Sequence, residues 1–191
     1  MSGRPIVETE RLIVRALAPG DVEALAALWC DPGATAYLGG PRTFDAVCRS
    51  LREDLALPEQ PTFDLWPTIE KASGRVVGHC GLLDKEIDGR IEIELVYMLA
   101  PAAWGRGFAT EAGRAIRDHA VTALGQRRLV ALIHPDNAAS ERVAGKLGFR
   151  HERDVQRPHG AMRLYGFAAA ETCDSAKQPH ALKNRDVEST T

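Results

Sequence analysis

The segment RIEIELVYML at residues 90–99 constrains the fold most, because hydrophobic residues recur at alternate positions along most of its length. A period of two is that of a β-strand, whose successive side chains point to opposite faces of a sheet. One face of this strand would carry Ile91, Ile93, Leu95, Tyr97 and Leu99. Pro101 ends the strand, and residues 105–124 follow as a predicted long helix. The chain therefore passes from an extended strand through a short turn into a helix.

The remaining segments predict a mixed α/β domain. Further strands are predicted at 11–17, twice between 63 and 83, at 128–134, at about 149–155 and at about 162–168. Helices are predicted at 22–29, at about 43–57 and at about 138–147. This order predicts a central, mostly antiparallel mixed sheet of six to seven strands with helices on both faces. We expect one domain over residues 1–170 and a disordered polar tail over residues 171–191.

Composition is typical of a soluble globular protein. The net charge of -2 gives no electrostatic reason to expect nucleic-acid or membrane binding. No apolar run approaches the about 20 residues that cross a bilayer. The four cysteines form no CxxC pair and have no histidine at zinc spacing, so we expect free thiols, a cytoplasmic location and no metal site.

The turn WGRGFATEA at residues 104–112 is the strongest candidate for a ligand site. Gly105 and Gly107 let the backbone curl closely around an anion, and a helix N-terminus offers free N–H groups to a phosphate. Arg106 could add positive charge. A diphosphate-bearing ligand suits this turn, although a helix entry without a ligand, or a Rossmann dinucleotide site, would explain the same glycines. Thr110 stands where the Rossmann pattern has its third glycine.

Three segments in this order resemble the GNAT acetyltransferases, in the branch of the ribosomal-protein N-terminal and spermidine acetyltransferases. They are ETERLIVRAL, ELVYMLAPAAWGRGFATEA and HPDNAASERVAGKLGF, and the resemblance spans about residues 6–168. It implies the GNAT fold and transfer of an acetyl group from acetyl-CoA to a primary amine in a ternary complex, without an acetyl-enzyme intermediate. The family's loop pattern Q/R-x-x-G-x-G/A is matched at Gly105 and Gly107, but Ala102 replaces its first residue.

The resemblance also implies which residues hold acetyl-CoA. Met98 and Leu99 would lend backbone groups to the pantetheine arm, and the side chain of Asn137 would hydrogen-bond the same arm. The pyrophosphate would lie on Gly105, Arg106, Gly107, Phe108, Ala109 and Thr110.

An acceptor amine has a pKa near 10.4 and must lose a proton before it can attack a thioester. Glu94 resembles a glutamate that serves as the base in several GNAT enzymes, with Glu92 as the fallback on the same strand face. Both could instead be solvent-facing residues, or could only attract a cationic amine. Ser140 is the candidate proton donor to the CoA thiolate, unless it only caps the following helix. Tyr165 is the other candidate acid.

Two other functions fit the same sequence. One is an acyl-CoA-binding module without catalytic activity, and the other is a nicotinamide-dependent oxidoreductase. The acceptor is left open between a protein N-terminus, a polyamine, an aminoglycoside and another small amine. A monomer and a homodimer are equally consistent with the sequence.

Overall fold

A computed structural model describes residues 3–58, 61–158 and 160–170, and it places eight strands in one sheet. The strands are β1 (Pro5–Glu8), β2 (Leu12–Arg15), β3 (Leu65–Glu70), β4 (Arg75–Ile87), β5 (Arg90–Leu99), β6 (Arg128–Ile133), β7 (Arg150–Arg157) and β8 (Gly160–Ala168). The helices are α1 (Val22–Cys30), α2 (Phe44–Leu55), α3 (Phe108–Thr122) and α4 (Ala138–Lys146). The tail predicted at 171–191 lies outside the described residues.

The strand order is β1-β2-β3-β4-β5-β6-β8-β7. Neighbouring strands are antiparallel except β5 and β6, which run parallel. The prediction of a mixed, mostly antiparallel sheet is confirmed, but the sheet has eight strands where six to seven were predicted. The additional strand is β1, whose four residues begin with a proline and are too short to show an alternating pattern.

Helices cover both faces of the sheet, as predicted. Alternate residues of β5 reach opposite layers: Leu95 and Leu99 pack in the core with α3 and α4, whereas Met98 packs with α1 and α2. Ile91 was predicted to share the face of Leu95, but its side chain is 66% exposed because it lies at the hairpin end of β5, beside the Asp88–Gly89 turn. No helix in the described ranges is long and apolar enough to cross a membrane.

Helix α3 packs closely against the end of α4 because Gly113 has no side chain. A Cβ at this position would lie 2.8 Å from Cδ1 of Leu147 and 3.7 Å from Cδ1 of Tyr97. The helix begins at Phe108, three residues later than predicted, since residues 105–107 form a separate loop. The glycine therefore fixes the distance between the two helices that border the end of β5.

His79 is a buried polar residue in the middle of the fold. It lies on β4 opposite Met98, its ring meets that of Trp29 edge-on at 6.3 Å, and it is 3% exposed. Neither ring nitrogen has a partner within the described residues. Burial lowers the pKa of His79 to about 4, against an opposing effect of the Asp21 carboxylate. Between about pH 4 and pH 6.5 the imidazole is therefore neutral in the folded protein, whereas an exposed histidine would be charged.

This difference predicts acid sensitivity. Below pH 6.5 the unfolded chain binds a proton at His79 that the folded chain takes up only near pH 4, so stability falls as the pH drops through this window. Between pH 7.5 and pH 5, His79 should account for a loss of about 2 kcal/mol in the free energy of unfolding. Urea unfolding at both pH values checks this. In His79→Met the loss should shrink by that amount, and an unchanged loss would contradict the account.

Candidate active site

Among the described residues, strands β5 and β6 pair through a single backbone bridge and then separate. Within the described residues their one bridge joins Glu94 to Val130, yet β5 continues to Leu99 and β6 continues to Ile133. Strand β4 pairs with β5 all the way to Leu99, so the gap opens on the β6 side alone. Between the diverging strands lies a cleft of about 730 Å³.

The backbone of β5 offers polar groups to this cleft. The N–H of Ala100 donates to the carbonyl of Val77 on β4 at 2.9 Å. Because peptide groups alternate in direction along a strand, those of Met98 also face β4, whereas those of Tyr97 and Leu99 face the cleft. This direction favours Tyr97 and Leu99 as the backbone partners in place of the predicted pair of Met98 and Leu99, and all three residues line the cleft.

The glycine loop and the first turn of α3 form a candidate anion site at the mouth of the cleft. Gly105 and Gly107 have φ values of 71° and 81°, in the left-handed region that glycine adopts without strain. The first helical hydrogen bond runs from Glu111 N–H to the Gly107 carbonyl at 3.0 Å. Within the described residues, the N–H groups of residues 105–110 donate no hydrogen bond. These free donors and the helix dipole suit a phosphate. The loop thus brings together the predicted residues Gly105, Arg106, Gly107, Phe108, Ala109 and Thr110.

The side chain of Arg106 does not face this site. Its guanidinium forms an ion pair with Glu70 and stacks over the Phe108 ring, 4.3 Å from the ring centroid. The expectation that its side chain adds charge to the site is wrong, because Glu70 draws it to the outside of the loop. The basic side chains that line the cleft are instead Arg142 and Lys146 on α4.

The start of α4 forms the wall opposite the loop. Asn137 Oδ1 accepts the Ser140 N–H at 3.1 Å, so Asn137 caps the helix and the Ser140 hydroxyl does not. That hydroxyl has no partner among the described residues, and both residues line the cleft. The Tyr97 hydroxyl donates to the Ser140 carbonyl at 3.0 Å. Burial raises the pKa of Tyr97, so this hydroxyl stays neutral and holds α4 against β5.

Glu94 lies where the two strands part, and it is 8% exposed. Its Oε1 accepts the Leu132 N–H of β6 at 3.2 Å, and its Oε2 lies 3.9 Å from Nζ of Lys85. Burial raises the pKa of Glu94 against the opposing effects of Lys85, the Leu132 N–H and Arg157. The interpretation of Glu94 as a solvent-facing residue is wrong, since its carboxyl group is enclosed at the inner end of the cleft.

A cleft between split strands, an anion site at a glycine loop and a buried carboxylate now stand in one continuous space. Residues 11–150 match the acetyltransferase (GNAT) domain family, a span that contains all three features. The chain is a GNAT acetyltransferase. The match confirms the resemblance of the sequence to this family and the assignment of the protein as an acyltransferase.

Known proteins similar to this acetyltransferase extend over nearly the same length. An uncharacterised N-acetyltransferase, p20 of Bacillus licheniformis, is 33% identical over 163 residues, which cover 81% of this chain and 89% of p20. A solved acetyltransferase from Agrobacterium tumefaciens is 26% identical with a TM-score of 0.73, covering 88% of this chain and 96% of that one. The spermidine N-acetyltransferase of Vibrio cholerae, solved with CoA and spermine, shares the fold at 17% identity, with a TM-score of 0.68 over 84% of this chain and 96% of its own.

The sheet of the acetyltransferase contradicts the nicotinamide alternative. A Rossmann domain needs a parallel sheet around its glycine turn, whereas the strand before this turn, β5, is antiparallel to β4 along ten residue pairs. The described ranges contain no group of three or more His, Cys, Asp or Glu residues placed to hold a metal ion.

Glu92, the fallback base, is bound elsewhere. Both of its carboxylate oxygens accept from Nε of Arg128, at 3.0 and 3.2 Å, and Arg128 also makes two 2.8 Å hydrogen bonds to Glu152 on β7. Glu92 does not line the cleft. It therefore joins the strands of the acetyltransferase at the closed end of the split and is not available as a base.

Tyr165, the other candidate acid, also lies outside the cleft. Its ring packs against the ring of His151, with the two centroids 5.4 Å apart, and its hydroxyl lies near Glu141 on α4. Burial, then the contact with Glu141, raises the pKa of Tyr165. The structure brings Glu94, Ser140 and Asn137 to one cleft and leaves Tyr165 out, because the Tyr165 ring packs against His151 of β7.

The segment between α1 and α2 crosses the cleft mouth, within the residues 29–57 that the sequence indicates for the acceptor pocket, but the sequence did not predict its individual contacts. The Tyr37 hydroxyl donates to the Asp136 carbonyl at 3.2 Å, and its ring lies 5.1 Å from that of His134. On the other side, Gly33 approaches Trp104, whose Nε1 donates to the Leu99 carbonyl at 2.8 Å. Tyr37 and Trp104 are partly exposed aromatics, and no motif distinguishes them from ordinary surface residues. Tyr97 was recognised only as a core residue, because the period of two says nothing about its hydroxyl.

Proposed function

We propose that this acetyltransferase moves the acetyl group of acetyl-CoA onto a primary amine by direct attack in a ternary complex. The observation that carries the proposal is the separation of β5 from β6 after the Glu94–Val130 bridge. Without it the peptide groups of Tyr97 and Leu99 would be used by β6. With it they face a cleft that begins at an anion site and ends at a buried carboxylate.

Acetyl-CoA fits the donor groups of this cleft. The diphosphate would lie on the free N–H groups of residues 105–110, with Arg142 and Lys146 near its negative charges. The amide-containing pantetheine arm would extend β5 by hydrogen bonds to the backbone of Tyr97 and Leu99, as an added strand does. The Asn137 side chain, on the facing wall, would bind the same arm.

Glu94 is the proposed general base. Its carboxylate takes a proton from the substrate ammonium through ordered water, and the free amine then attacks the thioester carbonyl. A carbon–nitrogen bond forms, the carbon–sulfur bond breaks, and the electron pair leaves with the CoA sulfur. The negative charge that develops on the carbonyl oxygen needs an N–H donor, for which the Tyr97 N–H, closer to Glu94 along β5 than the Leu99 N–H, is placed. A raised pKa makes Glu94 a stronger base than an exposed glutamate.

Ser140 is the proposed proton donor to the leaving thiolate. Its hydroxyl lines the cleft, and the cap at Asn137 and the Tyr97 hydroxyl hold its backbone in place. The Ser140 hydroxyl would pass its proton to sulfur and regain, through water, the second proton that the attacking nitrogen loses as the amide forms. A serine has no pKa near neutrality, so this step relies on proximity to the sulfur and contributes less than the base does.

The walls of the cleft favour an acceptor with one amino group and an apolar body. Glu94 is the one buried carboxylate among the described lining residues, and Lys85 lies 3.9 Å from it. The rim instead carries half-exposed apolar side chains, namely Tyr37, Leu38 and Trp104. A polyamine would bring several positive charges to one carboxylate that is already paired, so electrostatics disfavour it.

Unpaired thiols support a cytoplasmic location. The three cysteines within the described ranges, Cys30, Cys48 and Cys80, are all free. Proteins that work in an oxidising compartment more often use such residues in disulfides.

Glu94→Gln tests the base directly. The wild-type kcat at saturating substrates should rise with pH as Glu94 loses its proton. In the variant this rise should disappear, and kcat near pH 7 should fall about 100-fold or more. Steady-state rates between pH 5.5 and 9, with thiol release as the readout, measure both effects.

Glu92→Gln is the matched control, since it removes the same charge two residues earlier on the same strand face. Its kcat should stay within about twofold of wild type, because Glu92 serves the Arg128 network. A Glu94→Gln variant with the wild-type pH profile would refute the role of Glu94. Acetyl-CoA binding without turnover of any amine would point to the inactive binding module.

The acceptor prediction is tested with two amines at one pH. 2-Phenylethylamine carries one amino group on an apolar body, whereas spermidine carries three amino groups and no apolar surface of that kind. We expect kcat/KM to be at least about tenfold higher for 2-phenylethylamine, from burial of its ring against the rim. A preference for spermidine would contradict the prediction. A preference for peptide N-termini over both amines would also contradict it and would indicate that the acceptor is a protein N-terminus.

A further inference from the structure

The turn between β1 and β2 docks on the first turn of α3, far from it in sequence. The Glu111 carboxylate accepts hydrogen bonds from the Thr9 hydroxyl at 2.6 Å, from the Arg11 backbone N–H at 3.0 Å and from the Arg11 Nε at 2.7 Å. Desolvation by burial opposes ionisation of Glu111, but the hydrogen bonds from Thr9 and Arg11 outweigh it and lower the pKa of Glu111. Glu111 is therefore an anchored carboxylate beside the anion site.

The same guanidinium reaches the glycine loop. Arg11 Nη1 donates to the carbonyl of Arg106 at 3.0 Å, and the guanidinium lies 4.8 Å from the Phe108 ring centroid. In a trans peptide the C=O of one residue and the N–H of the next point in opposite directions. By holding the Arg106 carbonyl on the outer side, Arg11 directs the Gly107 N–H to the side of the cleft, which Gly107 lines and Arg106 does not.

We propose that Arg11, held by Glu111, is a positioning residue that sets the orientation of the Arg106–Gly107 peptide and thereby the affinity for acetyl-CoA. Loop N–H groups bind a phosphate well only when they converge before it arrives, since ordering a loop on binding costs free energy. Glycines at 105 and 107 permit many backbone conformations, so an external contact is needed to select one. Arg11 is the side chain that makes this contact within the described residues.

Charge alone predicts a different pattern of mutant effects. Removing the positive charge of Arg11 should weaken binding of the CoA anion, whereas removing the negative charge of Glu111 should strengthen it. If Arg11 acts by orienting the loop, both changes weaken binding, because Arg11 without Glu111 loses the contact that fixes its guanidinium. The sign of the Glu111 effect separates the two explanations.

The inference rests on the proposed acetyl-CoA site, so wild-type binding is measured first. Calorimetry with CoA on the whole chain should then show a dissociation constant about tenfold higher for both Arg11→Ala and Glu111→Gln, since each breaks charge-assisted contacts that hold the loop. The KM for acetyl-CoA should rise with it while kcat stays near wild type. In the double variant the effects should not add, because the two residues act through one contact.

Two further variants complete the test. Arg114→Ala removes an exposed positive charge one turn later on α3 and should leave affinity unchanged. Arg11→Lys keeps the charge but cannot bind Glu111 and the Arg106 carbonyl as a fork, so it should not restore affinity. Tighter CoA binding by Glu111→Gln, or full affinity in Arg11→Lys, would overturn the proposal. Failure of the wild type to bind CoA would refute the proposed site itself.

Discussion

The separation of β5 from β6 after one bridge is the constraint on which the proposed active site depends. A buried peptide group without a partner costs about 1–3 kcal/mol, so strands that part inside a sheet must meet water or a ligand. The closed end of the split is held by Arg128, which joins Glu92 on β5 to Glu152 on β7. Glu94 spans the start of the gap by accepting the Leu132 N–H. Glu94 therefore lies where the strands part and also links them by this hydrogen bond.

The alternation of β5 divides the site between the two faces of the sheet. Tyr97 points to the side of α3 and α4, where its hydroxyl binds the Ser140 carbonyl beside the proposed cofactor wall. Glu94 and Met98 point to the side of α1 and α2, whose connecting segment carries Tyr37 across the mouth. Donor and acceptor would then reach the gap from opposite faces. Because the side chains of β5 alternate between the two faces, the amine and the thioester would meet in the gap without sharing one entrance.

Much of this was predictable from the sequence, and the failures have physical causes. The loop at 105–110 follows from local residue types, since glycine at positive φ acts on its own neighbours. The helix cap was expected at Ser140, whereas Asn137 makes it. The contacts of long charged side chains cannot be predicted from local residue types, because they depend on partners that the fold brings close. For this reason the sequence did not predict that Arg106 pairs with Glu70 or that Glu92 pairs with Arg128. The burial of Glu94 is invisible for the same reason, since it depends on where β6 leaves β5.

The most direct test of the account is a crystal structure of the protein with CoA. The account predicts that the pantetheine arm lies between β5 and β6, with a hydrogen bond from the Leu99 N–H, and that the diphosphate lies on the N–H groups of residues 105–110. The thiol should end nearer to Ser140 than to Tyr165. CoA bound elsewhere, with the gap between the strands filled by water or closed by further β5–β6 pairing, would contradict the central claim.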